Sequence, residues 1–251
     1  MRISPACALA LGKVPRPMPE PSVSIVVPAF NEERTIREVL RRVAGMGLAS
    51  EILVVDDGSV DRTAEIVRSL EPEIAGLRLI AQDVNRGKGA AVRTGIDAST
   101  GDIVVIQDAD LEYDPADLPA LLRPLQEGVA DVVYGTRLRG GEPQRAHLFW
   151  HYAGNRALSL LTNVLYNTTI SDMEVGYKAF RGELVRSLDL VSDDFRFEPE
   201  VTAKVLRTPG IRLYEVPIAY YGRTYAEGKK ITWRDGFKAV AALLRFRFSR
   251  V

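Results

Sequence analysis

Asp108 and Asp110 stand two residues apart at the end of a short apolar run, Ile103-Val104-Val105-Ile106-Gln107. In an extended chain, residues two apart point to the same side, so both carboxylates face one spot at the carboxyl end of the run. Two close carboxylates repel, and burying them without partners is costly. A divalent cation removes both problems. Oxygen ligands in this number suit Mg²⁺ or Mn²⁺, which keep waters and share substrate phosphates. The pair alone leaves open a solvated Asp-rich turn or a helix cap ahead of Pro115. Further polar clusters close other apolar runs: Pro28 to Glu32, Asp56-Asp57-Gly58-Ser59, and Gly135-Thr136-Arg137. Arg223 and Lys229 lie in a basic loop with two glycines. A guanidinium such as Arg137 matches a phosphate with two parallel hydrogen bonds.

These residues must be carried by elements. Residues 23–28, 52–55, 77–80, 103–106 and 131–135 read as buried strands. Between them come helical stripes. Ile36, Val39, Leu40 and Val43 mark the first, with Asn31 as the cap of a helix opening at Glu32; Gly45 and Gly47 end it. Asp61 caps the second helix, and the third spans residues 90–98 after Asn85-Arg86-Gly87-Lys88-Gly89. Leu118, Leu121, Leu122 and Leu125 mark the fourth. Strands alternating with helices imply a mostly parallel sheet covered on both faces, with ligands outside the carboxyl ends of the strands. Later come a helix over residues 147–166 with a polar break at 154–156, a strand at 176–180, a helix from 195 to 206, and a strand at 211–217. A basic amphipathic helix covers residues 233–248, with Phe237, Val240, Ala241, Leu244 and Phe248 in one stripe.

Bulk properties narrow the function. The 251 residues carry 33 Lys plus Arg against 33 Asp plus Glu, a balance that argues against nucleic acid as a partner. One cysteine, Cys7, excludes an internal disulfide framework and a cysteine zinc site. His147 and His151 are four apart but lack the Glu of a zinc-protease helix. No Gly-x-Gly-x-x-Gly follows the first strand and no phosphate loop of the Gly-Lys-Ser/Thr type occurs. No apolar run approaches the ~20 residues that span a bilayer. Residues 1–22 read as a disordered, proline-rich lead rather than a signal peptide, residues 23–230 as one catalytic domain and residues 231–251 as the basic helix. The expected compartment is the cytoplasm, with peripheral contact at the inner membrane face through that helix.

Val23 to Glu32, Val54 to Ser59 and Asp108-Ala109-Asp110 resemble the GT-A inverting glycosyltransferases of family 2. Residues 85–89, Gly135-Thr136-Arg137 and the Arg223 to Lys229 loop make the chain similar to the dolichyl- or polyprenyl-phosphate mannosyl- and glucosyltransferases, of the dolichol-phosphate mannose synthase kind. The resemblance implies a GT-A fold. It places Pro28, Phe30 and Glu32 at the nucleotide base and ribose, with Asp57 contacting one of them. It places Asp108, Ala109 and Asp110 at the sugar-nucleotide diphosphate, with Asp108, Asp110 and Glu112 holding Mg²⁺ or Mn²⁺. Arg137 falls near the acceptor phosphate, and Arg223 and Lys229 on a loop that closes over the phosphates. Asp172 matches a family aspartate that orients the acceptor or acts as a base; the residues alone also allow a turn cap. Glu198 is a second possible base, and Glu200 reads as a helix-start charge.

The expected reaction moves a hexose from GDP-mannose or UDP-glucose to a polyprenyl phosphate, an anion that needs cations more than a base. Asp110, Arg137, Asp172, Arg223 and Lys229 are the expected catalytic set. Two rivals stand beside it: a soluble family 2 transferase acting on a saccharide or small-molecule hydroxyl, and a non-catalytic subunit that binds nucleotide sugar.

Overall fold

Branched apolar runs become the strands β1 (Val23–Ala29), β2 (Glu51–Asp56), β3 (Leu77–Ala81), β4 (Ile103–Ile106) and β5 (Val132–Thr136). The structure is a computed structural model and describes residues 20–145, 149–222 and 233–249. Every residue of β1, β4 and β5 is buried. Successive strand residues point to opposite faces, so the sheet is covered on both. The covering elements are α1 (Ile36–Gly45), α2 (Thr63–Leu70), α3 (Lys88–Ala98), α4 (Leu118–Gln126), α5 (Phe149–Tyr166), α6 (Gly182–Arg186), α7 (Phe197–Arg207) and α8 (Trp233–Phe248). α1 buries Ile36, Val39, Leu40 and Val43, the stripe legible in the sequence.

The sheet runs β3-β2-β1-β4-β6-β5-β7, where β6 is Lys178–Arg181 and β7 is Leu213–Pro217. β1 pairs in parallel with β2 and β4, and β5 in parallel with β7. β6 lies antiparallel between β4 and β5. The strand order reverses between β1 and β4, which places the crevice for a ligand at their carboxyl ends.

One local expectation is corrected. Asn31 does not cap a helix: α1 begins at Ile36, and Asn31 has a φ of 55°. Its side-chain oxygen instead accepts from the amide of Val60 at 2.9 Å, tying the loop after β1 to the loop after β2. Asparagine tolerates that left-handed backbone because its short polar side chain bonds locally. The polar stretch at residues 154–156 lies inside α5, which is continuous, as the expected helix is. The amide of Asn155 is drawn to Asp172, at 2.7 Å, rather than competing for the helix backbone.

α8 packs against α7 and α5. It buries Ala239, Ala242, Leu243 and Phe246. Much of the expected apolar stripe faces outward instead, with Phe237 71%, Leu244 41% and Phe248 77% exposed. Among the described residues, no helix is long and apolar enough to cross a membrane.

Candidate active site

The carboxyl ends of β1, β2, β4 and β5 open onto one cavity of about 1200 Å³. Pro28 and Ala29 line it at the end of β1 and Phe30 and Glu32 just beyond, Asp57 after β2, Asp108, Ala109, Asp110 and Glu112 after β4, and Arg137 after β5. The structure therefore brings together nine of the expected site residues: Pro28, Phe30, Glu32, Asp57, Asp108, Ala109, Asp110, Glu112 and Arg137. Arg223, Lys229 and His147 lie outside the described residues.

Each wall has a local cause. Asp57 accepts from the amides of Arg86 and Gly87, both at 2.8 Å, and so holds the turn into α3 against β2. That turn delivers Lys88 to the cavity. Its ammonium lies 2.8 Å from Asp108 and 3.5 Å from Glu198. Burial works against the charged lysine, but Asp108 and Glu198 outweigh it and hold its pKa above the usual range. Gly176 abuts Asp108: a Cβ there would stand 2.4 Å from Oδ2. Asp110 accepts from the amide of Glu112 at 3.1 Å across Leu111, whose φ is 59°. Glu112 accepts from the Tyr220 hydroxyl at 3.0 Å.

Arg137 is fixed from several sides. Its Nε and Nη2 donate to Asp172 at 2.7 and 2.8 Å, and its backbone amide donates to the same carboxylate at 3.1 Å. The guanidinium carbon lies 4.9 Å from the centre of the Tyr220 ring. Asp172 is fully buried and also accepts from Asn155. Burial raises its pKa, but Arg137 overcomes this and holds the carboxyl below the usual range. Asp172 faces a guanidinium and an amide, an arrangement that orients Arg137. Glu198 is likewise engaged, accepting from the buried Lys178, which in turn donates to the carbonyls of Met173 and Val175. Glu200 accepts from the amides of Val191 and Ser192 and pairs with Lys204 at 2.7 Å.

Sequence reasoning missed Glu174. It lines the cavity, and its Oε1 is buried without a hydrogen-bond partner. Burial, with Glu198 nearby, raises its pKa to about 7. No local signal in the sequence marks it, because a lone glutamate in a loop carries no periodicity.

Among the described residues, no three Asp, Glu, His or Cys side chains gather to hold a metal by themselves. The donor chemistry nevertheless fits Mg²⁺ or Mn²⁺. These ions take one or two carboxylates and complete their shell with water and substrate phosphate. Asp108, Asp110 and Glu112 offer oxygen donors on one cavity wall, and the bare backbone of Gly176 leaves room for the Asp108 carboxylate.

The mixed sheet, with carboxylates and an arginine gathered at its switch point, is of the GT-A glycosyltransferase fold, as the comparisons with known proteins show. Residues 24–188 match the family described as Glycosyl transferase family 2, and the chain belongs to that family of glycosyltransferases. It is 30% identical over 227 residues to the uncharacterized protein MJ1222 of Methanocaldococcus jannaschii, covering 88% of this chain and 90% of that one. It is 27% identical over 237 residues to dodecaprenyl-phosphate galacturonate synthase of Rhizobium johnstonii, covering 92% of this chain and 68% of the relative. It is 30% identical over 220 residues to undecaprenyl-phosphate 4-deoxy-4-formamido-L-arabinose transferase of Pseudomonas aeruginosa, covering 85% of this chain. The match spans 62% of that transferase's length. Among solved structures, glucosyl-3-phosphoglycerate synthase from Mycobacterium tuberculosis with Mn²⁺, uridine diphosphate and phosphoglyceric acid superimposes with a TM-score of 0.71 at 24% identity. That superposition covers 92% of this chain and 80% of the synthase. At this identity the likeness shows the fold.

Proposed function

We propose that this glycosyltransferase moves a hexose, with inversion, from a sugar nucleotide to a polyprenyl phosphate at the cytoplasmic face of a membrane. The observation that carries the reading is Arg137: a guanidinium held by Asp172, stacked over Tyr220 and facing a cavity whose lining also includes the exposed Phe149 and Trp150. A fixed cation beside apolar aromatics suits an acceptor that joins a phosphate to a hydrocarbon chain. A phosphate oxygen is already anionic and attacks without a general base. Asp172 and Glu198, two carboxylates that could serve a hydroxyl acceptor as base, are both committed to cations. The activities for which the prenyl-phosphate relatives are named support the same acceptor class.

On the donor side, Pro28, Phe30, Glu32 and Asp57 form the nucleotide wall. Asp108, Asp110 and Glu112 are the residues that would hold Mg²⁺ or Mn²⁺; when bound, such an ion neutralises charge on the departing diphosphate. Arg223 and Lys229 add cations to the phosphates. α5 and α8 meet the membrane with Trp150, Phe237 and Phe248 interleaved with Lys238, Arg245 and Arg247.

The test is nucleoside diphosphate release from GDP-mannose or UDP-glucose in Mn²⁺, with and without a short polyprenyl phosphate. Release that requires the lipid phosphate, stops in Asp110→Ala and stops on chelation is the expected result. Donor binding with no lipid-dependent release would overturn the acceptor reading.

A further inference from the structure

Glu174 is a cavity carboxylate that the proposed transfer leaves without a task. Its surroundings are committed elsewhere. Lys178 holds one oxygen of Glu198, Lys88 lies between Glu198 and Asp108, and Arg137 grips Asp172. The Oε1 of Glu174 is buried with no hydrogen-bond partner among the described residues, yet the side chain lines the cavity. A carboxylate in that position lacks donors, and supplying them is worth more than an ordinary neutral hydrogen bond.

Its place in the chain says what would supply them. Two residues before it, Asp172 positions the arginine on the acceptor side. Two residues after it, Gly176 touches Asp108 on the diphosphate side. The group passed between donor and acceptor must lie between these, and that group is a sugar. Sugar hydroxyls are donors, whereas phosphate oxygens and a neighbouring carboxylate are not.

We infer that Glu174 is a specificity residue for the donor: its carboxylate accepts a hydrogen bond from a hydroxyl of the transferred hexose, and with Glu198 it selects a neutral sugar over a uronic acid. The second part follows from charge. Lys178 and Lys88 are already taken up by Glu198 and Asp108, and Arg137 by Asp172, so a carboxylate on the sugar would meet Glu174 with no cation left over to offset it, in a cavity partly closed to water. The inference rests on the sugar-nucleotide reading of the cavity and not on the identity of the acceptor.

Calorimetric titration of the full chain at pH 8, above the raised Glu174 value, in Mn²⁺ and with no acceptor present, tests it. The ligands are UDP, UDP-glucose, UDP-glucuronate, GDP and GDP-mannose, against native protein, Glu174→Gln and Glu174→Ala. Native protein should bind UDP-glucose or GDP-mannose about tenfold more tightly than the matching diphosphate. Glu174→Ala should lose that increment and keep its diphosphate affinity. Glu174→Gln, which retains an acceptor oxygen, should keep most of it. UDP-glucuronate should bind native protein no better than UDP. The inference is overturned if the alanine variant keeps the increment, if native protein shows none, or if UDP-glucuronate binds better than UDP-glucose. Loss of diphosphate affinity in both variants would make Glu174 structural and also overturn it. Failure of the polyprenyl-phosphate reading leaves the titration unaffected.

Discussion

Asp172 and Glu174 are two residues apart, and their environments push them in opposite directions. Asp172 is buried against a cation, so Asp172→Asn would leave the Arg137 guanidinium without its counter-charge. We expect a loss of about 3–5 kcal/mol in urea unfolding at pH 7. The same pair contributes to the acid limb. Because Arg137 depresses the folded-state pKa of Asp172, the stability it provides is present above the unfolded value near 3.8 and is lost as pH falls through the lower folded value. The native acid limb should therefore be steeper than that of Asp172→Asn. Glu174 has the reverse sign. Burial lifts its folded value from 4.5 to about 7, so the folded state holds more protons between those values. Stability then declines as pH rises through that window. Melting temperatures from pH 5 to 7.5 should show Glu174→Gln gaining on native protein as pH rises; parallel profiles would contradict this. Asp108, Asp110, Asp57 and Arg137 were readable as cavity residues because each closes an apolar run, and a strand end is a fixed address. Glu174 was not, because a single glutamate in a loop carries no periodicity and its burial is produced by distant segments.

Helix α3 shows how closely the elements around the site are fitted. Its first turn lies against residues 192–194: the amide of Ala90 donates to the carbonyl of Asp193 at 3.0 Å, and a Cβ on Gly89 would stand 2.4 Å from the carbonyl oxygen of Ser192. Backbone on both sides leaves little room to yield. Gly89→Ala should lower stability by about 1–3 kcal/mol in thermal or urea unfolding. It should also weaken sugar-nucleotide binding, because Lys88 moves with the turn. The strands were legible because branched apolar runs bounded by turn residues are local signals. The position and direction of β6 were not, since four residues between α5 and α6 do not say which two strands they will separate. The same limit explains Asn31, whose side chain answers to Val60 on another loop.

At the scale of the molecule, the exposed apolar side chains of α5 and α8 carry a prediction. Trp150 is 79% exposed and Phe149 65%, so replacing both with glutamate leaves the core intact. Co-sedimentation with vesicles containing anionic lipid should fall about tenfold or more in the double variant, with melting temperature unchanged. Native binding should weaken as salt is raised, through screening of Lys238, Arg245 and Arg247. The placement of β6 has a further consequence, for biosynthesis. As the chain leaves the ribosome, β1 to β4 can assemble early, but β4 then presents an unsatisfied edge, Ile103-Val104-Val105-Ile106, until β6 is made. A bare apolar edge invites pairing with another nascent chain. Residues 20–145 expressed alone should therefore pellet as aggregates, while the whole chain stays in the supernatant, and slow translation across the interval before β6 should increase demand for chaperones.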